Sequence, residues 1–282
     1  CARSRAMPSV KDLGKRLKSV TSTSKITKAM KMVAASKLKK AETDMAKARP
    51  FAASVQSLMM PHIGVKEEDE TPSTVLALAI SSDKGLCGGV NSKMAKEVKL
   101  GMEAYVGKGV ESPEVLMLGS KGRDAMARTH SKFFKTTYDE AYGGKVTFSL
   151  ASFLAEQMLA SSADSYVIYY NKFKSVINFD VTALAFKGPE VLGGSGVMDE
   201  YEFEGEKEEI LADLYQFNLA VSIYSCILEN VTSEQASRMT AMDSASTNAS
   251  EMIEKLQVQY NRLRQAKITT ELTEIVAGAE SV

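Results

Sequence analysis

The residues of this sequence that could do chemistry are concentrated in one short glycine-rich turn. Asp83–Gly89, with the sequence DKGLCGG, follows an apolar run and precedes a helical stretch, which is where phosphate-binding loops lie in nucleotide-binding domains. The turn matches neither the G-x-G-x-x-G of dinucleotide-binding folds nor the G-x-x-x-x-G-K-[ST] of a P-loop. Glycines at a strand-to-helix turn are common for packing reasons alone. We therefore expect no phosphate site and no cofactor here.

Cys87 in this turn is a candidate nucleophile, but neither His62 nor His130 stands in a recognisable relation to it as a base. We expect Cys87 to be a small buried residue. The three cysteines are widely spaced and form no C-x-x-C pair, so neither a disulfide framework nor a transition-metal site is expected. The acidic runs Glu67–Glu70 and Glu206–Glu209 are typical of solvated faces. The sequence thus indicates a protein that is not an enzyme on its own.

The net charge of zero conceals an asymmetry along the chain. Residues 1–49 carry 14 Lys and Arg against 3 Asp and Glu, whereas the remaining 233 residues carry 21 against 32. A positive segment is attracted to nucleic acid, to anionic lipid or to an acidic protein. Almost no aromatic residue is interleaved before Phe51, so we expect no nucleic-acid partner. The chain starts at Cys1 and not at a methionine, and the stretch Cys1–Lys11 is basic and free of acids, which predicts that a targeting segment such as a mitochondrial transit peptide has been removed.

The elements that position these residues begin with a long helix at the end of the chain. From Glu206 to Ala277 there is no glycine and no proline, a run of 72 residues. A helix of that length would measure roughly 108 Å, whereas a compact globule of this chain would be about 50 Å across, so we expect the helix to protrude. Acids at its start and Gly278 at its end are suitable helix boundaries. Apolar residues recur along it at a 3-4 spacing that drifts, namely Ile210, Leu214, Phe217, Val221, Tyr224, Leu228, Val231, Met242, Ala245, Ala249, Met252, Leu256, Tyr260, Leu263, Leu272, Ile275 and Val276.

The start of the chain predicts a partner helix, kinked or interrupted at Pro50. Its 3-4 register is typical of a coiled-coil seam with many small residues, and it comprises Val10, Leu13, Leu17, Val20, Ser24, Thr27, Lys31, Ala34, Leu38, Ala41, Met45, Ala48, Ala52, Val55 and Met59. The middle of this seam, Ser24 to Lys31, is polar. That polarity fits either a locally weak seam or a surface shaped for another protein.

The middle of the chain predicts a small α/β domain. Apolar runs predict buried strands at Thr74–Ile80, Val115–Leu118, Tyr166–Tyr170 and Val176–Phe186, none of them near the roughly 20 residues that span a bilayer. The stretches between the strands favour helices at Asn91–Tyr105, Arg123–Thr129 and Val146–Ser162. Strands that alternate with helices predict a largely parallel sheet. The segments 61–72 and 188–205 are expected to be loops that join this domain to the helices.

At the two terminal helices the sequence resembles the gamma subunit family of rotary (F-type) ATP synthases. Leu17–Glu42, LKSVTSTSKITKAMKMVAASKLKKAE, is similar to the first helix of the family, and Ser233–Gly278 is similar to its last. Ser81–Asn91, SSDKGLCGGVN, resembles a third signature of the family. The motifs keep their order and spacing over nearly the whole chain. Within 101–207 the resemblance lies mainly in the α/β pattern.

The resemblance implies an α/β fold with long helices: an antiparallel two-helix coiled coil from the N- and C-termini plus a Rossmann-like α/β domain. The expected boundaries are 1–60 for the N-terminal helix, 73–190 for the α/β foot domain and 206–282 for the C-terminal helix. The implied function is a non-catalytic central rotor shaft that transmits torque from the membrane c ring to the catalytic hexamer of alpha and beta subunits. Further implied partners are the small central-stalk subunits, delta and epsilon.

The resemblance also implies which residues contact partners. By position, the torque and coupling contacts of the family map onto Met30, Lys31, Met32, Lys84, Arg238, Arg264, Gln265, Thr269 and Glu271, and the apolar tip residues Leu272, Ile275 and Val276 suit a smooth bearing. Lys84 stands where many members have arginine, which keeps the charge but loses bidentate geometry. For Met30 and Met32 the alternative is packing against the second helix.

Two other hypotheses stay open at the level of the sequence: a nucleotide-dependent enzyme built on the α/β domain, and a coiled-coil tether with a recognition domain. The wording KAMKMVAASK and the basic start favour a peripheral protein on the matrix side of the mitochondrial inner membrane over a protein of a bacterial membrane.

Overall fold

A computed structural model of the chain describes residues 9–66, 71–141, 144–193, 198 and 200–280. The start Cys1–Pro8 and the acidic run Glu67–Glu70 lie outside the described residues. The chain divides into two compact units: Cys1–Val33 with Met239–Val282, here called the two-helix unit, and Ala34–Arg238, here called the sheet unit.

The first helix, α1, spans Val10–Ile63. Its start is capped by Ser9, whose Oγ accepts a hydrogen bond from the Asp12 backbone N–H at 3.2 Å and donates one to the Asp12 carboxylate at 2.6 Å. The helix continues through Pro50, so of the predicted kink or interruption the interruption is wrong, and the kink stays a prediction. Proline removes one backbone hydrogen bond, but Ala48 and Ala52 on either side are buried in the core, and this packing holds the helix together.

The last helix, α5, spans Lys207–Glu280 and has 74 residues. Two acids, Glu208 and Glu209, lie in its first turn, where they face the positive end of the helix dipole. The helix passes the predicted stop at Gly278 by two residues. Helix ends commonly differ by this much, since the terminal turn makes the fewest hydrogen bonds.

In the two-helix unit, α1 and α5 pack antiparallel. Lys31 is paired with Asp243, and Gly14 faces the Tyr260 ring; in both pairs the two residue numbers add to 274. The predicted seam of α1 is confirmed, because every one of its positions within the two-helix unit is buried or half-buried. On α5 the buried residues are Met242, Ser246, Ala249 and Leu256. Met252, which the 3-4 spacing placed on the seam, is 42% exposed, since the stripe of a straight helix drifts round its surface.

The sheet unit contains a five-stranded sheet in the order β3-β2-β1-β4-β5. The strands are β1 Val75–Ile80, β2 Glu114–Leu118, β3 Phe134–Tyr138, β4 Ser165–Ser175 and β5 Asn178–Lys187. The first four are mutually parallel, and β5 returns antiparallel to β4 as a hairpin. The predicted, largely parallel sheet is therefore confirmed.

Three helices connect the parallel strands: α2 Val90–Gly107, α3 Ser120–His130 and α4 Phe148–Leu159. Short 3-10 turns lie at Ser131–Phe133 and at Pro189–Gly193, the second inside a segment expected to be a loop. Alternate residues of β1 enter two apolar cores: Leu78 belongs to the core that includes α4 and residues of α5, and Ala77 to the core that includes α2. The α2 core is tight, since a Cβ at Gly101 would lie 2.0 Å from the Tyr169 hydroxyl.

One 18-residue window of α5 has a mean hydropathy of 1.3, which by length and composition alone is enough to cross a membrane. Of that window 56% is buried inside the protein, and the core helix of a soluble domain passes the same test. Burial accounts for this apolar window.

Candidate functional site

The predicted contact residues of α1 lie on the surface of the two-helix unit. Met32 is 68% exposed, and Met30 and Lys31 are half-buried. The Lys31 ammonium lies 2.7 Å from an Asp243 carboxylate oxygen, and both side chains remain well exposed. An exposed pair of this kind is worth at most about 1 kcal/mol, so a partner can replace it at small cost. Packing against the second helix thus does not account for Met32.

The polar middle of the seam is buried between the two helices. Ser24 and Thr27 are 6% and 8% exposed, and the Thr27 hydroxyl donates to the Ser24 carbonyl oxygen at 3.0 Å. On the other helix, the Ser250 hydroxyl donates to the Ser246 carbonyl oxygen at 3.1 Å. Because each of these two hydroxyls is satisfied within its own helix, small polar residues can line the seam without an unpaired donor. These side chains therefore belong to the seam between the two helices, and neighbouring residues form the outer surface of the two-helix unit.

The tip of α5 is exposed throughout residues 264–279. The residue numbers of two positions that face each other across the seam add to 274. The described start of α1 at Val10 therefore lies opposite about residue 264 of α5. The predicted residues Arg264, Gln265, Thr269, Glu271, Leu272, Ile275 and Val276 all lie on this exposed tip. The last three, with Ile268, present apolar side chains that are about half exposed or more. Such a row of exposed apolar residues is typical of a surface that another molecule covers.

In the sheet unit, several residues of the turn after β1 form hydrogen bonds with neighbouring segments. The Ser81 hydroxyl donates to the carbonyl oxygens of Leu118 and Gly119, each at 2.9 Å, and accepts from the Gly122 N–H at 3.1 Å. A Cβ at Gly122 would lie 2.6 Å from that hydroxyl, so the close contact between Ser81 and α3 requires glycine at this position. Asp83 accepts a hydrogen bond from the Ser120 N–H at 2.9 Å, at the start of α3. These bonds hold the turn in one conformation and attach it to the end of β2 and the start of α3, which is a structural role.

Cys87 lies inside this turn and is 2% exposed. Its sulfur lies 3.2 Å from the Asn91 amide nitrogen, and burial raises the pKa of the thiol. A raised pKa disfavours the thiolate, which is the nucleophilic form. The structure therefore places Cys87 as a packing residue. Cys226 on α5 is also buried, and burial raises its pKa as well.

A network of buried polar side chains joins α5 to β4 and to the turn after β1. The Asn171 amide nitrogen donates to the Asn230 carbonyl oxygen at 2.7 Å, and the Asn230 amide nitrogen donates to the Ser81 backbone oxygen at 3.4 Å. The Ser233 hydroxyl donates to the Asn171 backbone oxygen at 2.9 Å, and the Ser237 hydroxyl donates to the Cys87 backbone oxygen at 2.7 Å. We call these six residues and their bonds the polar clamp. Directional bonds in a low-dielectric interior hold α5 in one rotational setting against the sheet.

A second attachment lies next to the polar clamp, at Glu229. One Glu229 carboxylate oxygen accepts from the Arg49 guanidinium at 2.8 Å, and the other accepts from the Phe173 backbone N–H at 2.8 Å. Arg49 also donates to the Phe173 backbone oxygen at 3.2 Å. A single carboxylate on α5 thus connects α1, α5 and β4, and it is 7% exposed. Charge-assisted bonds to a buried carboxylate are stronger than neutral ones.

Lys84 and Arg238 line one groove of the sheet unit, with a volume of about 740 Å³. Arg238 is 9% exposed and its guanidinium is paired with Glu234 one helical turn earlier. Burial raises the pKa of Glu234, and the nearby Arg238 and Lys84 oppose this rise. Lys84 itself is exposed. Arg238, which the resemblance implied as a partner contact, thus has an internal partner in this chain, whereas Lys84 is available at the surface.

Among the described residues no group of three or more His, Cys, Asp and Glu side chains could hold a metal ion. The predicted contact residues are distributed over both units and converge on no single site. Sequence reasoning missed the polar clamp and Glu229. The one available signal was the polar stretch from Glu229 to Arg238, which interrupts the apolar stripe of α5, but no pattern in the sequence names the distant partners of those side chains.

Comparisons with known proteins cover nearly the whole chain. A family described as ATP synthase matches residues 9–282. The ATP synthase gamma chain of Pelagibacter ubique is 36% identical over 301 residues, with 98% of this chain and 100% of the relative aligned. The ATP synthase gamma chain of Dinoroseobacter shibae is 38% identical over 292 residues, with the same coverage.

Solved structures show the same likeness. A chain of the Tetrahymena thermophila mitochondrial ATP synthase central stalk and c ring is 31% identical with a TM-score of 0.66, and the match covers 78% of this chain and 99% of that one. A chain of the Euglena gracilis mitochondrial ATP synthase has a TM-score of 0.80 over 96% of this chain. At 18% identity, the Euglena match supports the fold alone.

Proposed function

The chain belongs to the ATP synthase gamma chain family, and from this premise we propose that it works as the central rotor shaft of a proton-driven ATP synthase. It is a non-catalytic subunit. The observation that carries the proposal is the extent of the match: 98% of this chain aligns with 100% of gamma chains at 36–38% identity, terminal helices included. A nucleotide-dependent enzyme and a free coiled-coil tether are therefore set aside.

Torque transmission needs a shaft that does not slip on its base. In the sheet unit, α5 is held by the polar clamp and by the Glu229 carboxylate, which bond it to β4, α1 and the turn after β1. Apolar packing alone is non-directional and permits sliding, whereas these bonds specify one register. The same helix continues without a break to Glu280. These features support a role in which a torque applied to the sheet unit turns α5.

The partners we propose are the alpha and beta subunits of the catalytic hexamer, the c ring and the small central-stalk subunits, delta and epsilon. The Tetrahymena chain of the central stalk and c ring, 31% identical to this one, supports the c ring as a partner. The contact residues proposed for the catalytic hexamer are those of the exposed tip, of Met30–Met32 and of Lys84 with Arg238. The apolar side chains of the exposed tip and the exposed charges of Lys31 and Lys84 suit contacts that break and reform during rotation.

A peripheral position at the membrane follows from the proposed stalk role. Within that role we propose the matrix side of the mitochondrial inner membrane, supported by the likeness to the Tetrahymena mitochondrial chain and by the wording KAMKMVAASK. Fractionation of the source cells tests this location: recovery with mitochondrial membranes is expected, and recovery with a bacterial plasma membrane overturns it.

Native purification tests the function itself. A tagged copy of the full chain is expressed in its source, and membranes are solubilised in a mild detergent. Co-purification with alpha, beta and c subunits at constant ratio is expected. Recovery of a free homodimer, or saturable micromolar binding of ATP or NAD by the isolated chain at Asp83–Gly89, would count against the rotor function.

A further inference from the structure

A pocket opens at the amino edge of the sheet, the edge opposite the turn after β1. Four segments of the sheet unit surround it: the end of α4, the start of β4, the 3-10 turn that follows β5, and residues 212–216 of α5. Its volume is about 400 Å³, within the range of about 300–1,000 Å³ that small-molecule sites occupy in proteins. None of the contact residues proposed above lines it. We call it the amino-edge pocket.

Hydrogen bonds hold the walls of the amino-edge pocket in place. The Tyr215 hydroxyl donates to the Lys187 carbonyl oxygen at 2.7 Å, which attaches α5 to the end of β5. The Gly188 N–H donates to the Asp164 carbonyl oxygen at 2.6 Å, and a Cβ at Gly188 would lie 2.9 Å from the Ala163 carbonyl oxygen. A side chain at position 188 would therefore force these two segments apart. The pocket is formed before any ligand binds, which lowers the entropic cost of binding.

The walls of the pocket are largely apolar. Leu159 of α4, Ala163 before β4, Val191 of the 3-10 turn and Tyr215 of α5 line it. Burial raises the pKa of the Tyr215 phenol, which therefore stays neutral at physiological pH. Walls of this kind favour a ligand with an apolar body, because its burial removes hydrocarbon surface from water.

The charge around the amino-edge pocket is negative. Its lining includes the carboxylates Asp164, Glu190 and Asp213, and it includes no lysine, arginine or histidine. Asp164 is engaged in part, since its carboxylate accepts the Thr74 N–H at 2.8 Å. Glu190 and Asp213 are exposed and form neither an ion pair nor a hydrogen bond with the described part of the chain. The field of these carboxylates favours a cation at the mouth of the pocket.

A bare metal ion does not fit this arrangement. Among the described residues no group of three or more His, Cys, Asp and Glu side chains could hold a metal, so the three carboxylates of the pocket are too far apart to share one. Carboxylates spaced around an apolar cavity suit a larger cation. Its ammonium or guanidinium group can form charge-assisted hydrogen bonds at the mouth while its body occupies the cavity.

We propose that the amino-edge pocket binds a small organic cation, in which a primary ammonium or guanidinium group is attached to an apolar body. The charged group lies near Glu190 and Asp213, and the body lies against Leu159, Val191 and Tyr215. The proposal goes beyond the rotor function and does not depend on it, since every wall of the pocket belongs to this chain. A lysine or arginine side chain of another subunit has the same chemistry, and the test separates that source from a free ligand.

Fluorine NMR tests the proposal on the purified full chain, with 4-fluorophenethylammonium as the probe. We expect a saturable shift and broadening of the probe signal with a Kd of roughly 1–10 mM, as for other ligands of about ten non-hydrogen atoms. Two probes of similar size are the controls: 4-fluorophenethyl alcohol, which is neutral, and 4-fluorophenylacetate, which is anionic. Neither control should give a saturable shift at the same concentrations.

Two variants separate the shape of the pocket from its charge. Ala212 is exposed and lines the pocket, so Ala212→Phe puts a large side chain at the mouth and leaves every charge in place; it should abolish the saturable shift. Glu190→Gln with Asp213→Asn keeps the shape, removes two charges and should raise Kd about tenfold. Glu251→Gln, at an exposed acid of the two-helix unit, is the matched control and should leave Kd unchanged. Because all four residues are exposed, each variant should keep the thermal midpoint of the parent within a few degrees.

Four results on the full chain overturn the proposal: no saturable shift with the ammonium probe, an equal shift with either control probe, a shift that persists in Ala212→Phe, or an unchanged Kd in the double variant. The probe should also bind the assembled synthase as it binds the full chain. Binding that is lost on assembly would show that a side chain of another subunit occupies the pocket, and it would overturn the pocket as a site for a free ligand.

Discussion

Met30 lies half-buried on α1, next to the seam residue Lys31 and close to the exposed Met32. We predict that Met30→Lys impairs the coupling of proton flow to ATP synthesis. A lysine here would add a strong ionic contact with the surrounding hexamer, and a contact of ~1.4 kcal/mol slows the step that breaks it about tenfold. Proton pumping per ATP hydrolysed, measured in reconstituted vesicles, should fall while hydrolysis continues.

The control for this change is Val106→Lys, which adds the same charge at an exposed position of α2 outside the proposed contacts. Both variants should have the thermal midpoint of the parent chain within a few degrees, because each replaces a side chain that is not fully buried. Unchanged coupling in Met30→Lys would remove Met30 from the contact residues.

Glu234 gives a prediction about pH. Burial raises the pKa of Glu234 despite the opposing charges of Arg238 and Lys84, so the folded chain holds this proton to a higher pH than the unfolded chain does. The resulting contribution to stability is present below the ordinary carboxyl range and is lost as the pH rises through the raised pKa. Glu234→Gln keeps the size of the side chain and stays neutral at every pH.

We therefore expect Glu234→Gln to match the parent chain in thermal midpoint near about pH 4 and to exceed it at about pH 7.5. Differential scanning calorimetry at the two pH values measures this. A variant that is less stable than the parent at the higher pH would show that pairing with Arg238 outweighs the cost of burying the charge.

The polar clamp can be tested by two changes on the same helix. Asn230 and Asn218 are both fully buried on α5, but Asn230 is bonded to Asn171 and to the Ser81 backbone, whereas neither amide atom of Asn218 has a hydrogen-bond partner in the described protein. Asn230→Leu leaves the Asn171 donor unpaired in the interior and should cost ~1–3 kcal/mol. Asn218→Leu removes two unpaired polar atoms and should be neutral or stabilising.

Urea denaturation of the full chain measures both variants, since the midpoint shift at constant slope reports the change in the free energy of unfolding. Equal destabilisation by the two changes would contradict the polar clamp as a specific attachment. A larger loss in Asn218→Leu than in Asn230→Leu would do so too.

The helices were the most predictable elements because their signal is local. The 3-4 spacing named the α1 seam residue by residue, and every position of that seam is buried or half-buried. Strand β3 was not predicted, because FKTTY is a polar edge strand whose residues are exposed or half-buried, so it has no apolar run to find. Val176 and Ile177 were predicted to begin a strand because they are apolar. In the structure they form the hairpin turn before β5, where both side chains are exposed.

The site was less predictable than the fold, for a physical reason. Met32 and the tip residues were named through the resemblance, and their exposure agrees with a contact role that stays a prediction. The polar clamp depends on pairs such as Asn171 with Asn230, 59 residues apart in the chain. Composition and spacing report which face of an element is apolar, but a hydrogen-bond partner is chosen by the tertiary fold. The domain boundaries 1–60, 73–190 and 206–282 likewise stay a proposal.

For the molecule as a whole, the proposed role requires that α1 and α5 turn together. The register shared by Lys31–Asp243 and by Gly14–Tyr260 places Thr27 opposite about residue 247, and the buried residue next to that position is Ser246. Both Thr27 and Ser246 are buried seam residues of the two-helix unit. Small buried side chains on facing helices bring backbones close enough for a disulfide.

We predict that Thr27→Cys with Ser246→Cys forms a disulfide on oxidation, and that ATP-driven proton pumping then stays at the level of the reduced complex. A cross-link between two parts of one rotor does not oppose rotation, whereas a cross-link between rotor and stator stops it. Cys1→Ser keeps the terminal thiol out of the reaction, and Cys87 and Cys226 are buried. The matched control pairs Met32→Cys with a cysteine on the surrounding hexamer, which should stop pumping until a reductant is added. Loss of pumping in the 27–246 variant, restored by reductant, would mean that the two helices move against each other, and the shaft as proposed here could not transmit torque as one body.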